Sequence, residues 1–139
     1  MEICKDSTYY EVRMQDFFHQ FHSELAPTKV YGYEAQIPGP VIDTEEGLRT
    51  NIKWINNISD EKHILPVEHT LHGSHEGMPE VRTVVHLHGA EVEPESDGYP
   101  DAWFTKDFEM CGPRFTQKIY SYPNNQRAAT LWYHDHSLG

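Results

Sequence analysis

The chain has 139 residues, a length suited to one compact domain, and its 37% hydrophobic and 12% aromatic content supplies a small core and excludes a wholly disordered chain. Its formal charge of −11, from 22 acids against 11 bases, excludes nucleic acid as a partner, because such partners need clustered Lys and Arg. No stretch approaches the roughly 18 to 20 apolar residues of a membrane helix, and Met1-Glu2-Ile3-Cys4-Lys5-Asp6 has no apolar run of the secretory kind, so cytoplasmic synthesis without that export route is expected.

Short strands separated by turn residues favour an all-β fold. Thr8 to Met14 mixes aromatic, β-branched and polar residues as a half-buried strand does. Lys29 to Tyr33 forms a second candidate strand, and Pro38-Gly39-Pro40 then breaks the chain. From Leu48 to Asn56, alternation puts Leu48, Ile52 and Trp54 on one face. A polar stretch from Asn57 to Glu80 reads as a long loop, the kind that lines a site or an interface. Thr83 to Gly89, Lys118 to Tyr122 and Ala128 to His136 supply three more strands, with room for a short helical turn in a connection. No internal repeat or linker interrupts residues 1–139, which read as a single domain.

Two His-x-His pairs, His86/His88 and His134/His136, stand out among ten histidines. Alternate side chains of a strand share a face, so each pair presents two imidazoles side by side. Two such strands lying together would set four neutral nitrogen donors around one small volume. Imidazole suits copper, zinc, iron and nickel, and the absence of a carboxylate within the pairs disfavours the iron facial triad. Asp135, between two histidines, should point to the opposite face. His63, His69, His72 and His75 lie in the polar loop, where their spacing offers at most adventitious metal binding. His19 and His22 read as surface residues, and Trp54, Trp103 and Trp132 as core packing. Cys4 and Cys111 could pair, but without a disulfide-dense pattern they read as two unpaired thiols.

Three stretches, Thr83 to Gly89 around His86-Leu87-His88-Gly89, Ser96-Asp97-Gly98-Tyr99-Pro100-Asp101-Ala102-Trp103-Phe104, and Leu131-Trp132-Tyr133-His134-Asp135-His136, resemble the first cupredoxin (plastocyanin-like) domain of multicopper oxidases. The likeness is greatest to bacterial spore-coat laccases and their bilirubin-oxidising relatives, and Pro38-Gly39-Pro40-Val41-Ile42 resembles that family's entry to an early strand. The resemblance implies a Greek-key β-sandwich or barrel, here without its last strand, and a spore-coat location. It also implies copper: type 2 through His86, and type 3 through His88, His134 and His136. In that family electrons from phenolic donors enter at a type 1 copper and pass to a trinuclear cluster, where dioxygen becomes water.

The family cluster takes eight histidines, half of them from the last domain, so further domains or a partner chain would have to complete it. A type 1 site needs two His, a Cys and usually a Met. Cys111 is followed by no histidine until His134 and is rejected as that ligand. The expectation is therefore the N-terminal part of a laccase-type oxidase, a fragment inactive by itself. Two alternatives stand beside it. One is a non-catalytic copper-binding or interaction module. The other is a cupin-type metal enzyme, for which Glu93 is suitably placed but Glu80 and Pro100 occupy the flanking glycine positions.

Overall fold

A computed structural model describes residues 7–138. Six strands carry its regular structure: β1 (Ser7–His19), β2 (Thr28–Tyr33), β3 (Arg49–Asn56), β4 (Val85–His88), β5 (Ile119–Tyr122) and β6 (Trp132–Asp135). One helix, α1 (Pro94–Asp97), and two single 3-10 turns lie in the connection after β4. The all-β expectation holds, including the short helical turn.

Four strands form a sheet in the order β2-β1-β3-β5, while β4 and β6 pair separately as an antiparallel ribbon. β1 reaches further than the sequence indicates, to His19 rather than Met14. Its first half pairs parallel with β3 (Ser7 opposite Arg49 through Met14 opposite Asn56), and its second half pairs antiparallel with β2. The polar residues Gln15 and Asp16 hide this continuation from a hydrophobicity reading. The backbone ladder to β2 holds them in strand regardless, because ladder bonds do not depend on side-chain type.

β3 shows strict alternation: Thr50, Ile52, Trp54 and Asn56 are buried and their neighbours are not. Leu48 precedes the strand and is only half-buried. Ile52 and Trp54 meet Val12 and Met14 of β1, Tyr120 and Tyr122 of β5, Val85 of β4, and Phe104 in one core. Burying side chains of this size contributes about 1.5–3 kcal/mol each. Trp54 donates from Nε1 to the Tyr122 hydroxyl at 3.0 Å, satisfying its one polar atom inside that core.

The ribbon has two unlike faces because its period is two. Leu87 and Tyr133, opposite one another, pack against the core. The Tyr133 ring lies 4.8 Å from Tyr33 and 5.2 Å from Trp54, and its hydroxyl donates to the Pro40 carbonyl at 2.6 Å. The other face carries the histidines. Residues 57–80 form no strand or helix, as expected for the loop, and a buried Ser74 hydroxyl bonded to the Glu68 and Leu71 carbonyls knots part of it together.

Candidate metal centre

β4 and β6 bring the two histidine pairs together. The register sets His86 directly opposite His134 and His88 opposite Trp132. Val84, immediately before β4, extends the pairing: its N–H donates to Asp135 Oδ1 at 2.9 Å, and its carbonyl accepts from His136 N–H at 2.9 Å. His86 and His136 stack with ring centroids 4.7 Å apart, and the His86–His88, His86–His134, His88–His134 and His134–His136 centroids are 5.5 to 5.6 Å apart.

One ligating nitrogen from each of His86, His88 and His134 lies within 4.8 Å of the other two, the grouping of three or more possible ligands found among the described residues. His136 adjoins it through its stack on His86. His63, His69, His72 and His75 do not gather. The His69 ring bonds the Ser74 carbonyl, His72 meets Asp101 at 3.2 Å, and His63 bonds Leu65. Glu93 stands exposed at the N-cap position of α1, without a side-chain capping bond, and is no part of the group.

Three imidazoles are oriented from their far side. His86 Nδ1 faces the Asp97 carbonyl, His136 Nδ1 the Gly98 carbonyl at 2.8 Å, and His134 Nδ1 the Asp135 carbonyl at 2.7 Å. A carbonyl oxygen only accepts, so each of these Nδ1 atoms carries the proton and each Nε2 is left unprotonated, that of His134 facing His88. That is the arrangement that aims and strengthens a histidine ligand. Sequence reasoning missed the two carbonyls of Asp97 and Gly98. Backbone acceptors leave no residue-type signal, although an Asp-Gly pair is a turn signal in general. His88 differs: its Nδ1 lies 3.3 Å from Nε2 of His134. Two nitrogens each about 2.0 Å from one ion, in a roughly tetrahedral arrangement, stand about 3.3 Å apart. The donor set fits a metal of the imidazole-binding class.

Asp135 points away from the histidine face, as alternation requires. Part of its surface meets solvent, yet crowding by protein raises the pKa of its carboxyl, against hydrogen bonds from Val84 and Ser137 that lower it. Trp54 and Trp103 are core residues, at 2% and 4% exposure, but Trp132 is not. It is 59% exposed and lies on the histidine face, which its position two residues before His134 dictates. Cys111 is an exposed free thiol whose Sγ approaches the Phe108 carbonyl at 3.8 Å, apart from the histidines. Cys4 lies outside the described residues. An apolar groove of about 600 Å³, bordered by Trp54, Leu87 and Tyr133, runs behind the ribbon and includes none of the four histidines.

Residues 75–139 match the family model described as multicopper oxidase. A laccase of Bacillus subtilis is 51% identical over 137 residues, covering 96% of this chain and 26% of its own length. The chain belongs to the multicopper oxidase family. A laccase of Bacillus stratosphericus is 50% identical across 94% of this chain and 26% of its own. Multicopper oxidase structures share the fold: a laccase of Pediococcus acidilactici superposes with a TM-score of 0.67 at 24% identity, over 98% of this chain and 23% of that one. A multicopper oxidase of Campylobacter jejuni, described as a metallo-oxidase, gives 0.64 at 22% identity, over 96% of this chain and 22% of that one. The fold is thus the cupredoxin-like one of multicopper oxidases. The chain spans about a quarter of the length of the relatives it matches. Its described residues contain no helix long and apolar enough to cross a membrane.

Proposed function

We propose that His86, His88, His134 and His136 hold copper, as this chain's share of the histidine cluster of a laccase-type oxidase. The observation that carries the reading is the facing of ligand atoms across one ribbon: three nitrogens within 4.8 Å, with the His88–His134 pair 3.3 Å apart. Family membership selects copper from among the metals that imidazole accepts. His86 is assigned to the type 2 ion, and His88, His134 and His136 to type 3 ions. Bound copper would supply the one-electron steps that take electrons from phenolic donors and deliver them to dioxygen. This chain's residues do the orienting. The carbonyls of Asp97, Gly98 and Asp135 fix the tautomers, and the packed Leu87–Tyr133 face holds the ribbon at a constant angle. The remaining cluster ligands and a type 1 site would come from further domains or a partner chain. Likeness to Bacillus laccases favours a spore-coat setting for the whole oxidase.

Copper titration by calorimetry tests the assignment. Wild-type protein should take up copper, and the His88→Ala/His136→Ala double variant should lose that uptake. Unchanged stoichiometry in the double variant defeats the reading. Phenol oxidation by this chain with copper added should be negligible, because Cys111 meets no histidine. Clear turnover would mean that these residues form a complete centre.

A further inference from the structure

We propose that Trp132 is a positioning residue for the copper ligands: its indole stacks on His88 and His134 and holds both imidazoles in their ligating orientation. The inference rests on the copper reading above. The Trp132 ring lies 4.4 Å from His134 at 30° between planes, and 5.3 Å from His88 at 20°. Both contacts follow from the ribbon itself, since Trp132 is two residues before His134 and directly opposite His88. One indole therefore restrains one ligand from each strand.

The four histidines are not equally held. His86 and His136 stack on each other and are bonded to the Asp97 and Gly98 carbonyls, which come from outside the ribbon. The one carbonyl that anchors His134 is that of its own neighbour, Asp135, and its Nε2 meets the ring of His88. His88 is exposed, and its Nδ1 meets no carbonyl, only the ring nitrogen of His134. An exposed imidazole with no carbonyl to anchor it samples several rotamers, and binding a metal must then restrict it. Stacking on a neighbouring aromatic removes that freedom beforehand, which is why orientation by adjoining groups changes metal affinity. A surface tryptophan left 59% exposed gains little by burial. Its two parallel ring contacts are what its position provides.

The test uses the full chain with Trp132→Phe, Trp132→Leu and Trp132→Ala, all at an exposed site where folding should survive. Copper(I) affinity is measured anaerobically against a competing chelator, and the histidine ring nitrogens are followed by NMR without metal. Affinity should fall about tenfold in W132A and W132L, the order expected for loss of aromatic stacking, and W132F should restore most of it. In the same two variants the ring signals of His88 and His134 should collapse to rotamer averages, while those of His86 and His136 keep their wild-type positions. W132L matching wild type in both measurements would overturn the proposal, since bulk rather than a stacked ring would then suffice. Unchanged histidine spectra in W132A would overturn it too, while leaving the copper reading intact. A wild-type chain that binds no copper would bring down that reading, and the positioning role of Trp132 with it.

Discussion

Gly98 holds two histidines in place through one carbonyl of its own and one from its neighbour. Its φ of +78° lies in the left-handed region, and a Cβ added there would sit 2.0 Å from the Val85 carbonyl oxygen and 3.0 Å from His86 Cα. No side chain fits, so any substitution pushes the end of α1 off β4 and carries both carbonyls away from His86 and His136. Gly98→Ala should destabilise the fold by roughly 2–4 kcal/mol, the scale of a steric clash added to backbone strain. Copper affinity should drop at least about tenfold as the two imidazoles lose their acceptors. Gly47 is a built-in control, with φ of +77° and nothing within 4 Å of its added Cβ. Gly47→Ala should show only the strain of positive φ, about 1–2 kcal/mol, with no change in copper binding. Urea midpoints and copper titrations of the two variants separate the effects; equal losses in both would remove the close contact as the cause.

Among the elements, the ribbon was the most legible part of the sequence and its surroundings the least. Spacing alone placed each histidine pair on one face, because a strand has a period of two. The register that sets His86 against His134 could not be read. It depends on the bond from Val84 N–H to the Asp135 carboxylate and that from His136 N–H to the Val84 carbonyl, between residues about fifty apart. The exposure of Trp132 was legible in the same alternation that placed His134, but the general tendency of tryptophan to bury itself obscured it. The parallel pairing of β1 with β3 leaves no local signal at all. What ties β3 to the segment leading into β4 is one buried amide. Asn56 Nδ2 donates to the Val81 and Phe104 carbonyls, each at 3.3 Å, and its Oδ1 accepts from Ile58 N–H at 3.2 Å. Asn56→Ala takes this partner from the Val81 carbonyl and the Ile58 N–H, while the Phe104 carbonyl keeps the Thr83 N–H at 3.0 Å, and it should lower stability by about 1–3 kcal/mol. A urea midpoint within about 0.5 kcal/mol of wild type would show that water or a shifted loop replaces all three bonds.

Across the whole molecule, the core that fixes the ribbon's angle is unusually rich in tyrosine, and this makes the fold sensitive to alkali. Burial raises the hydroxyl pKa of Tyr33, Tyr120 and Tyr122, that of Tyr120 to about 12 from a usual 10.0, with the Asp97 charge adding to the effect. The neutral phenol is thus the form the folded chain accepts, while the unfolded chain ionises freely from about pH 10. Below pH 10 both states carry the proton and stability does not vary with pH through Tyr120. Above it the unfolded state binds fewer protons, so stability falls with rising pH until the folded hydroxyl also titrates, near 12. A difference of this size corresponds to a loss on the order of 2 kcal/mol between pH 10 and 12 from this one residue. Tyr120 packs in the core cluster with Ile52 and Trp54 and is 2% exposed, so Tyr120→Phe keeps the ring and removes only the titrating group. Urea unfolding measured at steps from pH 9 to 12 should show a visibly shallower decline for Y120F than for wild type. Parallel declines would mean that the hydroxyl reaches solvent in the folded protein, and that the layer between β5 and the histidine ribbon is looser than the packing of Tyr120 requires.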